Sequence, residues 1–197
     1  MLSKTVRRLG IVVLSAVLFT TLAVSLFADA SKFSASKDAR EKDEPQKFLP
    51  DYDKLIEGKK ADWVYFPEGV KLKSFKTVVL KDFTVTGHAK ESKGAAEYGV
   101  EYLAQWIEKS DLGWSIEKKA GDIVIEGNVF NAWEPSDAAA FWGGGLGADP
   151  TVGVELIGRD KSGKILFEVR HKRKGSTMPD AVENALDNIV ATLEKGK

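Results

Sequence analysis

No cysteine occurs among the 197 residues. That excludes a disulfide framework and the lipid-carrying cysteine of a bacterial lipoprotein, so the stability of the fold has to come from its core. Histidine is nearly as scarce. His88 and His171 are the only two, and neither has a second histidine or a cysteine at ligand spacing, so a metal site or a histidine dyad would need carboxylates gathered by the fold. An excess of one charge is missing too, with 29 basic and 29 acidic residues. Such balance offers no global electrostatic reason to bind nucleic acid.

What the chain does have is a leader. Lys4, Arg7 and Arg8 precede an apolar run over residues 11–27, and Ala28-Asp29-Ala30 follows, the layout of a secretory signal with cleavage after Ala30. The run comes close to the roughly 20 residues that span a bilayer, so an uncleaved N-terminal membrane anchor is the alternative. Either way the rest is expected outside the cytoplasm, in the periplasm or cell envelope. Cleavage would remove three basic residues and Asp29, leaving 26 basic against 28 acidic in the mature part. Residues 31–47, SKFSASKDAREKDEPQK, carry too little apolar surface to offset chain entropy and read as a flexible charged linker. Residues 48–197 are then expected to form one domain.

Its centre is residues 121–169. Ile123, Ile125, Val129 and Trp133 fall at even spacing, as do Val152, Val154 and Leu156, and Ile165, Phe167 and Val169, so three strands can each offer one apolar face to a common core. Lys161-Ser162-Gly163 turns the last two into a hairpin. Upstream, FLPDYDKL has apolar residues at near-helical spacing, DWVYF reads as a short strand, and residues 71–87 as a strand with an irregularity near Lys81 and Asp82. Two amphipathic helices complete the list. One lies within residues 92–110 and is ended by Asp111-Leu112-Gly113; the other carries Val182, Ala185, Leu186, Ile189, Val190 and Leu193, with Thr177 as N-cap, Pro179 in its first turn and Gly196 past its end. The order predicts an α+β two-layer sandwich, a mainly antiparallel sheet with both helices on one face.

FLPDYDKL followed by WVYF, PEGV and KLKSFKTVVLKDF resembles the opening of an uncharacterised family of bacterial envelope proteins, many of them lipoproteins. The glycine-rich crossover and VGVELIGRDKSGKILFE are similar to segments of envelope domains sharing the N-terminal α/β fold of TolB-type proteins. The resemblance implies an envelope location and brings no catalytic residues with it.

Four candidate chemistries remain. Gly143 to Ala148 fit the relaxed spacing G-x-G-x-x-A, yet a strand follows where nucleotide binding needs a helix N-terminus. Glu126, Glu155 and Glu168 could supply a carboxylate pair for hydrolysis, although each has Lys or Arg nearby and solvated cross-strand ion pairs are the plainer expectation. Arg170, Lys172, Arg173 and Lys174 form the densest basic cluster of the mature chain, a candidate contact for lipid phosphates or an acidic partner, or else a charged edge that discourages pairing. Trp133, Phe141, Trp142 and Leu146 set bulky side chains beside four glycines in a long crossover, a candidate partner-binding surface or a cap on the core. Together these predict an exported envelope binding or assembly module without cofactor or metal, its partners being envelope proteins. A lipid or small-ligand carrier with a pocket between sheet and helices, and a carboxylate-dependent envelope hydrolase, are the alternatives.

Overall fold

A computed structural model describes residues 47–86, 92–134 and 149–196. The leader, most of the linker, His88, the glycine-rich crossover and Phe141, Trp142 and Leu146 lie outside the described residues.

The three strands expected at the centre are there and are the longest: β6 (Ile123–Trp133), β7 (Thr151–Asp160) and β8 (Ile165–Lys174). They form an antiparallel meander, turned at Gly163, whose φ of 84° suits glycine. On one side β2 (Trp63–Tyr65) pairs antiparallel with β8, and β1 (Ile56–Glu57) with β2. On the other side the pairing is parallel: β3 (Thr77–Leu80) lies along β6, and β5 (Ser115–Ile116) along β3. The eight-stranded sheet runs in the order β1-β2-β8-β7-β6-β3-β5, with β4 (Thr84–Val85) also paired to β6.

The irregularity expected near Lys81 and Asp82 separates β3 from β4, two pieces of one line along β6. Its effect is to drop the Phe83 ring onto the sheet over Gly127, where a Cβ would stand 2.3 Å from the ring. Gly127 is therefore a steric requirement.

Both helices pack on one face of the sheet. α1 (Ser92–Lys109) and α2 (Met178–Lys195) bury Leu103, Ile107, Leu186 and Ile189 against Ile125, Val129, Val154, Leu156 and Phe167. Thr177 caps α2 by accepting from the Asp180 amide, and Gly196 ends it in the left-handed conformation. The expected stripe is thus core.

Two residues leave the face their spacing assigned them. Between Val129 and Asn131 the register of β6 shifts, and the extra residue, Phe130, is buried. Beyond the bulge Ala132 takes the interior position and Trp133 is 46% exposed, so Trp133 does not share the core face with Ile123. A second shift between Gly158 and Arg159 turns Ile165 away from the helices. It joins Leu49, Leu55 and Ile157 in a smaller cluster on the opposite face, with Phe48, Tyr52, Trp63 and Tyr65 packed around it. That face is covered by residues 48–55, which form no helix beyond the single turn Tyr52–Lys54 capped by Asp51.

Candidate functional site

The helix-free face of the sheet holds charged groups where the sequence suggested solvated pairs. β7 is buried along its first eight residues, including Glu155, because helices cover one side and residues 48–55 the other. A carboxylate there needs partners. In register Glu155 lies opposite Arg170 of β8, and the guanidinium donates to its Oε1. Tyr52 donates its hydroxyl to the same oxygen at 2.7 Å, and Asn128 Nδ2 donates to Oε2 at 2.8 Å. Thr84 in turn donates to Asn128 Oδ1 at 3.0 Å. The Arg170 guanidinium lies 3.5 Å from the centroid of the Phe130 ring, which stacks it from the bulge. Gly153 makes room, since a Cβ there would come within 2.4 Å of that ring.

One member of this network belongs to the covering segment. The Tyr52 oxygen also accepts the amides of Phe48 and Leu49, each at 3.3 Å, so a single hydroxyl ties residues 48–52 to Glu155. Burial and then Glu155 push the Tyr52 hydroxyl up to about 12.

Glu168 lies on the same face, opposite Tyr65 of β2 and Ile157 of β7. It is fully buried, and neither carboxyl oxygen has a hydrogen-bond partner. Burial raises it to about 7, against the weaker pull of Lys54 and Arg159. Glu155 and Glu168 thus stand at diagonal register positions, one paired and one raised, which is how environments divide two carboxyls between roles. Both are sealed from solvent. Glu126 remains half-buried on β6.

The basic cluster does not form one surface. Arg170 is 2% exposed and paired with Glu155, so it is an interior residue and not a surface contact for phosphate. His171 faces the helices, fully buried, and its Nδ1 accepts the Asp62 amide at 2.9 Å. The same nitrogen lies 3.0 Å from the Asp62 carboxylate, and Nε2 is buried without a hydrogen-bond partner. Asp62 in turn accepts from the Lys172 amide at 2.9 Å and from Arg173 at 3.3 Å. Arg173 also donates to the Lys60 carbonyl at 3.2 Å, and Lys174 is exposed. Lys172, Arg173 and Lys174 therefore end β8 beside Lys60, at the β2 side of the sheet.

Trp133 is exposed at the end of β6, next to the undescribed crossover. Among the described residues no group of three His, Asp or Glu is placed to hold a metal ion, and no helix is long and apolar enough to cross a membrane. Among the described residues, hollows of about 270 and 240 Å³ open on the surface, the first lined by Val70, Phe75, Lys164 and Leu166 and the second by Phe83, Ala96 and Val100. Neither includes Glu155 or Glu168.

Sequence reasoning missed Tyr52, Asn128 and Phe130. A signal was present: Glu155 is the one charged residue in TVGVELIG, and a charge inside an otherwise apolar strand must find partners. Nothing nearby in sequence identified them, since Tyr52 lies 103 positions away.

No family model and no curated protein matches the chain. Solved structures do. A PelC variant from Paraburkholderia phytofirmans, solved as a dodecamer, is 15% identical, with a TM-score of 0.50 over 66% of this chain and 94% of its own. A DUF4136 family protein from Bacteroides thetaiotaomicron is 14% identical, with a TM-score of 0.38 over 73% of this chain and 96% of its own. Lipoprotein GNA1162 from Neisseria meningitidis is 10% identical, with a TM-score of 0.36 over 51% and 81%. At these identities the PelC likeness establishes a shared fold.

Proposed function

We propose that the chain is an exported module of the bacterial envelope that works by binding and assembly, without catalytic chemistry of its own. The observation that carries this reading is the fold shared with PelC across nearly all of that protein, whose solved form is a dodecamer. A fold that forms a dodecamer there offers a scaffold for assembly here. The leader supplies the route to the envelope, and the use of Glu155 agrees, since its oxygens are committed to Arg170, Tyr52 and Asn128 within the fold.

The test is crosslinking in intact cells, followed by identification of the captured species and by the native mass of the purified exported chain. Self-association or capture of a distinct envelope protein is expected. A monomer that captures nothing would overturn the reading. An envelope hydrolase built on Glu155 and Glu168 is the second reading, favoured by the pairing of one bound and one raised carboxyl. It requires residues 48–55 to lift from the sheet, and hydrolysis of envelope polymers lost on Glu168→Gln would establish it in place of the first.

A further inference from the structure

We infer that residues 48–55 form a strap released by ionisation of Glu168, which lies sealed beneath them when protonated. The geometry has three parts. Glu168 is fully buried, and both its carboxyl oxygens lack a hydrogen-bond partner. A protonated carboxyl tolerates such a place at the cost of unmade hydrogen bonds, whereas a carboxylate there is a buried charge without a bonded counterpart. Its cover is slight: Leu49 and Leu55 are the only fully interior residues of the strap, and the Tyr52 hydroxyl bond to Glu155 is its one side-chain bond to the three central strands. Lifting so short a segment costs less than opening the sheet, so water reaches Glu168 by that route first.

No charged group around Glu168 bonds directly to its carboxyl. From the strap, Lys54 favours the carboxylate and Asp51 disfavours it, and these two are paired with each other at 3.1 Å. Arg159 of β7 favours the charge from a distance. Tyr65 of β2 faces Glu168 in register without bonding to it, and Arg170, two residues along β8, is held by Glu155. Burial outweighs the two cations and raises the group from 4.5 to about 7.

Release has two results. It frees eight residues, adding roughly 25 Å of reach to the linker that precedes the domain. It also uncovers Trp63, Tyr65 and Ile157. The inference goes beyond the binding reading and does not depend on it, since a strap can open whether or not a partner waits.

Hydrogen exchange of the full exported chain tests it. Exchange in residues 48–55 is compared between wild type and Glu168→Gln at each of several values from pH 5 to pH 8, so that the intrinsic pH dependence of exchange cancels in the ratio. The wild-type strap should lose protection relative to the variant by on the order of a hundredfold across that range, while β2 and β8 keep theirs. Tyr52→Phe should loosen the strap at every pH without changing that slope. Equal strap protection in the two proteins at all pH values overturns the inference. So does loss of protection that spreads through β2 and β8 together with the strap, because that is unfolding of the sheet. Glu168→Met, which keeps the volume without the charge, serves as reference should the glutamine variant fail to fold; its captured partners should be those of wild type, which separates this test from that of the binding reading.

Discussion

Arg170 and Glu155 show how much a single strand position can hide. In sequence Arg170 belongs to a basic run and Glu155 to an apolar one, and the two become a pair only through the β7–β8 register. Each also depends on residues that no local pattern connects to it, Phe130 through a bulge and Tyr52 through the covering segment. Removing one partner strands the other charge, so Arg170→Met should cost about 3–5 kcal/mol, while Arg170→Met with Glu155→Leu should recover most of the loss. Urea denaturation of the three proteins decides this, and a double variant no better than the single would mean that the rest of the network needs the charges. Glu168 makes an opposite prediction with pH. Its folded-state value, about 7, lies above the ordinary 4.5, so the stability it lends is complete below about pH 4.5 and is lost as pH rises through 7. Melting temperatures of wild type and Glu168→Gln should therefore converge in acid and draw apart between about pH 4.5 and 7, the wild type being the less stable above that range.

Among the elements, those with a long apolar period were legible from the sequence and those defined by pairing were not. α2 could be placed with both its caps because Thr177, Pro179 and Gly196 act on their own neighbours in the chain. Its stripe is fully buried at Leu186 and Ile189, and replacing either by Ala should cost about 2–5 kcal/mol in thermal or urea unfolding. Unchanged stability in both variants would contradict the packing. The β6–β8 strands were equally plain, since alternation survives wherever the ladder is regular. What failed was register: one extra residue at Phe130 moved Trp133 outward, and the shift at Gly158 carried Ile165 to the other face. Alternation cannot reveal a bulge, because the pattern on each side of it is still alternation. The 48–55 segment was legible as a source of apolar contacts but not as a cover for the sheet. Phe48, Leu49, Tyr52 and Leu55 have helical spacing, but Pro50 and Asp51 break the backbone there, and the same four side chains are used to cover a sheet.

For the whole molecule, the layers agree with the expected α+β sandwich, with a parallel edge at β3 and β5 that short strands gave no means of foreseeing. The candidate site was legible only as a list of charged residues; which were interior was settled by how many sides of β7 and β8 are covered. If the leader is cleaved as its small residues suggest, Edman sequencing of the exported protein should begin at Ser31, and recovery of residues 1–30 on it would make the leader an anchor.

The pairing of β2 with β8 also sets an order of events. Val64 meets Val169, so the strand that flanks the hairpin is made early and its partner late. β7 and β8 can close on each other as soon as both exist, but β1, β2 and the segment before them have nowhere to dock until the C-terminal strand is present, and such distant pairings form slowly. A chain made amino end first therefore cannot complete its sheet until β8 has been made. Chains cut off after Lys161 should accordingly stay protease-sensitive throughout, and the intact chain should become resistant in a single late step.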